Sequence, residues 1–262
     1  MRLWIVLAAV AIVTLVLLPF QWISLKFGLA PRRRIPQLYH RMICALIGVK
    51  INIVGKRASH TPLMIVSNHI SWLDISVITA SAPVVFIAKQ EVAGWPIFGL
   101  LAKLQRTVFV NRNQRQKTAD VNAEIARRLS GGDPVVLFGE GTSSDGNRVL
   151  EFRSALIGAT REAVAQGKKD GRVYIQPLSI AYTGLLGLPL GRQHRPLIAW
   201  YGDFELVPHL AAVLRQGSID VTLTWGAPME VDGNSNRKTT TRALENEVRR
   251  MTSLALRGRP EA

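Results

Sequence analysis

The segment Leu63-Met-Ile-Val-Ser-Asn-His-Ile-Ser-Trp-Leu-Asp74 contains two apolar runs joined by a polar loop. Its first part, Leu63–Ser67, has the length and apolar character of a strand buried on both faces. The second part predicts a helix over residues 70–80, with Ser71 as its N-cap. A strand that leads directly into a helix is the repeating unit of α/β folds, whose functional sites lie at the carboxyl ends of the strands.

The same alternation continues along the chain. Further apolar runs predict strands, and small-residue or amphipathic stretches predict helices. The predicted strands are 84–88, 107–110, 135–138, 173–182 and 221–225, and the predicted helices are 113–129, 154–166 and 243–255. Continuous apolar strands that alternate with helices indicate a largely parallel, mixed sheet covered by helices on both faces. We therefore predict an α/β fold with one domain over residues 46–230, followed by a linker and an amphipathic C-terminal helix over residues 231–262.

The N-terminal region is apolar enough to hold the chain at a membrane. Residues 3–20 form an apolar run in which Thr14 is the polar member. That length is close to what crosses a hydrocarbon core of about 30 Å. A cleaved signal peptide fits less well, because the run is long for such a peptide and one Arg precedes it. We predict that residues 1–45 form a membrane anchor, either spanning or interfacial, in which residues 42–49 can pair with the first run.

Charge supports a membrane partner. Lys and Arg total 33 against 18 Asp and Glu, which gives a net charge of +15, and no acidic residue precedes Asp74. A basic segment beside an apolar anchor is attracted to an anionic membrane surface. By the positive-inside rule, the basic residues after the apolar run predict that the body of the protein lies in the cytoplasm. Nucleic acid is a poorer partner, because no zinc-finger or RRM signature occurs.

The single cysteine excludes two further classes of protein. With Cys44 alone, the chain can form neither a disulfide framework nor a zinc site built on two or more of its own cysteines.

His69 and Asp74 are the first candidates for chemistry. On one helix, a spacing of five residues would separate the two side chains by about 140°. They meet only if His69 lies in the loop and Asp74 in the first helical turn. The Asp would then accept one ring N–H and fix the tautomer, which leaves the other ring nitrogen to take a proton from a substrate. The alternative is a structural His at a strand end and an Asp that caps a helix.

The loop after the fourth predicted strand is the second candidate. Glu140, Gly141 and Thr142 follow Gly139, and such a loop can present backbone N–H groups to an anion or an oxyanion. The loop is not a P-loop, because no Gly-Lys-Ser/Thr follows, and it contains no Gly-x-Ser-x-Gly nucleophile motif. An ordinary polar turn is the alternative.

Two further residues stand near predicted strands. Arg112 follows the strand at 107–110, where an Arg can bind a phosphate or carboxylate with two hydrogen bonds, although a surface Arg is the alternative. Pro177 interrupts the strand at 173–182, which favours a bulge or a ligand wall, or else an edge strand.

These motifs carry a resemblance to a known family. Asn68-His69 with Asp74, then Phe109-Val110-x-Arg112, then Glu140-Gly141-Thr142, then Pro177 occur in this order behind an apolar anchor. Over residues 35–230 the chain resembles the 1-acyl-sn-glycerol-3-phosphate acyltransferase family of membrane-associated enzymes. The resemblance implies transfer of an acyl chain to a lysolipid hydroxyl. The donor would be a thioester of acyl carrier protein or coenzyme A, and no cofactor or metal is implied.

The resemblance also implies roles for individual residues. By position, His69 corresponds to the catalytic base and Asp74 to its orienting partner, so that the acceptor hydroxyl attacks the thioester directly. Arg112 and the Glu140-Gly141-Thr142 loop correspond to motifs that bind the acceptor.

Two departures from the family pattern bear on the acceptor. The family motif Phe-Pro-Glu-Gly-Thr-Arg has Pro where this chain has Gly139, and Arg where it has Ser143. In the family that Arg is assigned to the acceptor phosphate, so its loss puts a phosphate acceptor in doubt. Gly139 is expected to loosen the loop, because Gly has more conformational freedom to lose than Pro.

Other segments resemble one branch of the family. Residues 140–148, Phe152-Arg-Ser-Ala155 and Ala199-Trp-Tyr-Gly-Asp203 resemble the branch that acylates lyso-ornithine lipid, a zwitterionic amino-acid lipid without phosphate. We therefore predict synthesis of ornithine lipid for bacterial membranes. The alternative is synthesis of phosphatidic acid, since Arg112 and the basic surface can still hold a phosphate.

Overall fold

The computed structural model describes residues 1–110, 118–154, 173–232 and 235–261. The helices within these ranges are α1 Arg2–Lys26, α2 Arg34–Ile47, α3 Leu73–Ser81, α4 Phe98–Leu104, α5 Thr118–Ser130, α6 Leu206–Gln216 and α7 Arg237–Leu256. The strands are β1 Val49–Val54, β2 Leu63–Ser67, β3 Val85–Lys89, β4 Val108–Val110, β5 Val135–Phe138, β6 Val173–Leu185, β7 Leu188–Pro189, β8 Ile219–Trp225 and β9 Met229–Val231. Short 3₁₀ turns at Ala30–Arg33, Gln90–Gly94 and Arg195–Leu197 join some of them.

In the described part of the chain the strands form one mixed sheet in the order β1-β8-β6-β2-β5-β3-β4. The five strands from β6 to β4 run parallel to one another. At the other side, β8 pairs antiparallel with β6 and parallel with β1. The short strands β7 and β9 also pair with β6. This architecture confirms the predicted α/β class with a largely parallel mixed sheet, and it puts β2 near the centre.

Both faces of the sheet are buried, as the apolar strands predict. Residues of β2 alternate between two hydrophobic clusters: Leu63 and Ile65 join one, and Met64 and Val66 join the other. The first cluster includes residues of α2, α3 and α6, and the second includes residues of α5 and α7. The C-terminal helix α7 thus packs onto the sheet through Leu244 and its neighbours on the same face.

Element boundaries differ from the sequence predictions in specific ways. The helix predicted at 70–80 begins at Leu73, and Ser71 makes no capping hydrogen bond. The last helix begins six residues before its predicted start of 243, because Asn236 caps it by accepting from the N–H groups of Lys238 and Thr239. The predicted helix at 154–166 lies outside the described residues except for Ser154, and α5 is described from Thr118.

Some elements are absent from the sequence predictions: β1, β7, β9, α4 and α6. In β1, which is an edge strand, Lys50 and Asn52 point to the same face and are exposed, so this face is open to solvent and the apolar run is interrupted.

Pro177 does not lie in an edge strand, because β6 has partners on both sides. On one side of β6, β9 pairs with residues up to Ile175 and β8 pairs with residues from Leu178 onward. Pro177 therefore lies between the two paired segments, where no N–H is required of it by β8 or β9. Its carbonyl accepts the N–H of Gly226 in that gap. The register shift of β6 occurs further on, at Thr183, so the predicted bulge is not at the proline.

Helices α1 and α2 pack antiparallel against each other. Leu3 and Val6 at the start of α1 join the cluster that contains Ile43 and Ile47 at the end of α2. Among the described residues, α1 is the one helix long and apolar enough to cross a membrane. Many of its large apolar side chains are exposed: Trp4, Ile5, Ile12, Leu15, Val16, Phe20, Trp22 and Ile23.

Candidate active site

His69 and Asp74 meet at the carboxyl end of β2, in the geometry that the sequence predicts. His69 lies in the loop, Asp74 lies in the first turn of α3, and His69 Nδ1 is 2.8 Å from Asp74 Oδ2. The Asp74 side chain is fully buried, whereas 19% of the His69 side chain is exposed. The exposed part of the ring is open to a substrate, and Nε2 has no hydrogen bond within the described residues. The pair can therefore accept a proton from a group that docks at this edge of the sheet.

Asp74 organises the surrounding backbone as well as the imidazole. Its Oδ2 also accepts the backbone N–H groups of Ile70 at 2.7 Å and Ser71 at 3.0 Å. Its Oδ1 accepts the hydroxyl of Tyr182 at 2.7 Å. Every neighbour is a donor, which is the environment that an ionised carboxylate requires because it has acceptor capacity alone. The Nδ1–H tautomer of His69 follows from this arrangement.

Tyr182 is a site residue that the sequence reasoning missed. It lies on β6, is fully buried, and joins that strand to the carboxylate. Burial, with the nearby charge of Asp74, raises the pKa of Tyr182 well above its usual value, so the hydroxyl stays a donor. The sequence contains one weak signal: a tyrosine ends the predicted strand at 173–182, at the sheet edge where functional groups gather.

Asn68 fixes the start of the His69 loop. Its side-chain oxygen accepts the N–H of Ile180 at 2.9 Å, and its side-chain nitrogen donates to the carbonyl of Ile180 at 2.9 Å. The backbone pairing of β2 with β6 ends at Ser67, and the Asn68 side chain continues it by bonding to the β6 backbone. The loop therefore leaves the sheet at a defined position.

The loop after β5 lies against the His69 loop. The His69 ring stacks on Phe138 with ring centroids 3.9 Å apart, and Ser144 N–H donates to the carbonyl of His69 at 2.9 Å. Gly141 adopts a left-handed φ of 70° in the turn between them, which favours glycine. The structure thus brings together the two predicted motifs. Within the second, Glu140 is buried and Thr142 is exposed.

Gly139 does not loosen this loop, contrary to the sequence expectation. Its N–H donates to Ser67 O at 2.9 Å, and its carbonyl accepts Arg153 N–H at 2.8 Å. A Cβ atom at position 139 would lie 2.7 Å from the Phe152 ring, so a side chain there would clash. A proline would in addition lack the N–H that bonds to Ser67. The glycine is therefore required by close packing.

Glu140 is a buried acid beside the His69–Asp74 pair. Burial raises the pKa of Glu140 to about 8, with smaller contributions in the same direction from the charges of Asp74 and Glu245, while the backbone amides of His69 and Leu150 oppose the rise. Neither carboxyl oxygen makes a hydrogen bond of good geometry within the described residues. At neutral pH, Glu140 is therefore mostly a neutral carboxylic acid that can donate a hydrogen bond.

Aromatic residues form a wall beside the site. The backbone N–H of Trp200 donates to the carbonyl of Ile70 at 2.9 Å, and Trp95 meets Trp200 edge-to-face with centroids 6.1 Å apart. Trp72 donates through its indole N–H to His209. All three tryptophans are partly exposed, so this wall can contact an apolar ligand.

The structure leaves two predictions about the site untested: the position of Arg112 and the absence of a metal. Arg112 lies outside the described residues, so its predicted place beside the other motifs remains a prediction. Among the described residues, no group of three or more His, Cys, Asp and Glu side chains is arranged to hold a metal ion.

Comparison with known proteins points to one family. A family model described as Acyltransferase matches residues 50–181. The lyso-ornithine lipid O-acyltransferase of Brucella abortus is 48% identical over 263 aligned residues, which cover 100% of this chain and 98% of the relative. The enzyme of the same name from Rhizobium meliloti is 47% identical, covering 94% of this chain and 84% of the relative.

A solved structure has a similar fold. The 1-acyl-sn-glycerophosphate acyltransferase of Thermotoga maritima superimposes with a TM-score of 0.60 and 19% sequence identity, over 94% of this chain and 97% of that one.

The buried acid gives a testable pH dependence of stability. The pKa of Glu140 is about 8 in the folded chain against 4.5 for an ordinary carboxyl, so the folded state keeps a proton that the unfolded state releases between these values. The wild-type free energy of unfolding should therefore fall as pH rises through this window. Glu140→Gln should remove that loss. The free energy of unfolding of the variant, relative to that of wild type, should therefore rise from pH 5 to pH 8.

Urea unfolding in detergent at several pH values measures this difference. Glu151→Gln is the matched control, because Glu151 is exposed. A constant difference between Glu140→Gln and wild type across the window would contradict the prediction.

Proposed function

The chain belongs to the acyltransferase family, and from this premise we propose that it moves an acyl chain from a thioester to the hydroxyl of lyso-ornithine lipid. The observation that carries the mechanism is the buried Asp74 carboxylate that holds a partly exposed His69. The full-length similarity to two lyso-ornithine lipid O-acyltransferases supports lysolipid acyltransferase activity in general. The acceptor, the donor and the residue roles are parts of the proposal.

The proposed chemistry is direct transfer. Nε2 of His69 takes the proton of the acceptor hydroxyl while that oxygen attacks the thioester carbonyl carbon. Asp74 accepts the Nδ1–H and stabilises the imidazolium that forms. The new C–O ester bond replaces the C–S bond, and the imidazolium returns its proton to the departing thiolate. His69 thus ends as it began, and no acyl-enzyme is formed.

The acceptor would bind around the loop after β5. We assign this role to Glu140, Gly141, Thr142 and Arg112, of which Glu140 contributes a neutral acid able to donate to an acceptor oxygen. The donor would be acyl carrier protein or coenzyme A thioester. Both are acidic, which suits the net charge of +15. The reaction as written uses no cofactor or metal.

Ser143 supports an acceptor without phosphate. The family resemblance places an Arg for the acceptor phosphate at this position, and this chain has a serine there. The alternative acceptor, lysophosphatidic acid, depends on Arg112. An acceptor assay separates the two.

For membrane placement we infer that α1 lies flat in the interface. Arg2 at one end of α1 donates to the carbonyls of Ile47 and Leu214, and Gln21 near the other end donates to the carbonyls of Leu104 and Arg32. A helix of 25 residues is about 37 Å long, so a perpendicular span would draw much of the domain into the hydrocarbon. The flat placement instead gives the lipid its exposed apolar face.

The domain would then face the cytoplasm at the inner membrane. Nine Lys and Arg precede the first acidic residue, which favours contact with an anionic leaflet.

The acceptor assay tests the proposed reaction. Detergent-solubilised protein with acyl carrier protein thioester should acylate lyso-ornithine lipid much faster than lysophosphatidic acid. His69→Ala should lower turnover by about 100- to 10,000-fold, the usual loss for a general base, without loss of folding. Product from lysophosphatidic acid alone would identify a phosphatidic-acid synthase. Product from neither acceptor would argue against the enzyme reading.

Tyr182→Phe should slow the chemical step while leaving acceptor affinity intact. The variant removes one hydrogen bond to the buried carboxylate, which is worth about 1.5 to 3 kcal/mol. We expect kcat to fall by about tenfold with KM unchanged, as measured by steady-state kinetics. Tyr39→Phe is the control, since Tyr39 contacts Thr14 in the anchor. A rise in KM at constant kcat would contradict the role given to Tyr182.

Protease protection tests the placement of α1. A peptide tag fused before Met1 should be protected in intact spheroplasts and cut only after the cells are opened, as should a tag after Ala262. Digestion of the N-terminal tag from outside the spheroplasts would show that α1 spans the membrane.

A further inference from the structure

Three polar side chains form a cluster beside the His69 loop: Asp145, Asn147 and Arg195. Arg195 Nη1 donates to Asn147 Oδ1 at 3.1 Å. Asp145 accepts from Asn147 twice, from the backbone N–H at 2.9 Å and from the side-chain nitrogen at 3.1 Å. Asn147 therefore holds a cation and an anion at fixed positions on its two sides. None of the three was among the predicted site residues.

The cluster is attached to the catalytic loop at two points. Ser144, next to Asp145, donates its N–H and its hydroxyl to the carbonyl of His69. Gly146 lies so close to Ile70 that a Cβ atom there would be 3.2 Å from Ile70 Cγ2 and 3.8 Å from Arg195 Cβ. The cluster thus lies beside the residue that follows the catalytic base.

The Arg195 guanidinium has N–H donors that are available to a ligand. Its Nε is buried and has no acceptor in the part of the chain that the structure describes, and its bond to Asn147 is to a neutral amide. Burial and the neighbouring charge of Arg192 lower the pKa of Arg195, while Asp145 opposes this effect. A partly buried guanidinium without a carboxylate bonded to it is a costly arrangement that a bound carboxylate would relieve.

The charges match a zwitterionic amino-acid head group. An ornithine that is acylated on its α-nitrogen keeps one carboxylate and one side-chain ammonium. When the acceptor hydroxyl lies at His69 Nε2, the head group of a small lysolipid lies a few covalent bonds away. The cluster is attached to the loop that carries His69, so it is the charged group that we assign to this head group. A phosphate head group carries no cation for Asp145 and would be repelled by it.

We propose that Arg195 binds the carboxylate and Asp145 the ammonium of the ornithine head group, with Asn147 holding the two in register. This inference rests on the proposed function and names the residues that select the acceptor. It assigns the selection of the acceptor to positions outside the Glu140-Gly141-Thr142 motif, two of which lie in the segment 140–148 that resembles the lyso-ornithine lipid branch. Ser143 removes the arginine suited to a phosphate, and Asp145, two residues further on, adds the charge suited to an ammonium.

Matched acceptors test each contact separately. Wild type, Arg195→Gln and Asp145→Asn would be assayed with lyso-ornithine lipid, its carboxylate methyl ester and its N-acetylated side-chain derivative. Arg195→Gln should raise KM for the parent lipid by about tenfold or more, with kcat changed little, and should have little further effect on the methyl ester. Asp145→Asn should behave in the same way toward the N-acetylated derivative.

Arg192→Gln is the matched control, because Arg192 is an exposed arginine three residues from Arg195. Thermal unfolding of every variant identifies losses caused by misfolding, and the comparison between acceptors holds for any variant that retains turnover. Two results would show that the head-group assignment is wrong while the proposed function stands, provided that wild type acylates lyso-ornithine lipid. In the first, Arg195→Gln has the same KM as Arg192→Gln. In the second, Arg195→Gln raises KM equally for lyso-ornithine lipid and for its methyl ester. If wild type does not acylate lyso-ornithine lipid, both are overturned.

Discussion

The Asp74 carboxylate is the interaction on which the site depends. It accepts hydrogen bonds from the ring of His69, from two backbone amides of the loop and from the hydroxyl of Tyr182. One buried carboxylate therefore sets the ring orientation, the turn into α3 and the link from that turn to the neighbouring strand β6. Removing it would leave several buried donors unsatisfied at once, so its loss would disturb fold and chemistry together.

How much of this could be read from the sequence depends on how local each feature is. The run at Leu63–Ser67 and the spacing of His69 and Asp74 were sufficient to place the pair, because a strand and the first turn of the next helix are adjacent in the chain. Tyr182 was missed because it reaches Asp74 across 108 residues, and no local pattern reports such a contact. The antiparallel direction of β8 was missed for a similar reason: a strand buried on both faces has the same apolar pattern in either direction.

The loop after β5 shows how two substitutions can act differently. Gly139 replaces a family proline yet keeps the loop in place, through its N–H and through the Phe152 ring that fills the space of a side chain. Ser143 changes the chemistry the loop offers without changing its attachment, since the neighbouring Ser144 still bonds to His69. In the same loop, therefore, backbone contacts maintain the shape while, under the proposed function, side chains select the acceptor.

The attachment of α1 at both ends has a consequence for the membranes in which the protein can work. A helix that spans a bilayer must match its hydrophobic length to the hydrocarbon thickness, and it tilts when the two differ. A helix bound to its domain through Arg2 and Gln21 is positioned by protein contacts instead. With α1 flat in the interface as proposed, the position of His69 relative to the lipid surface would then stay constant as chain length or temperature thickens or thins the bilayer. A lysolipid would reach the imidazole by lateral diffusion within one leaflet, without leaving it.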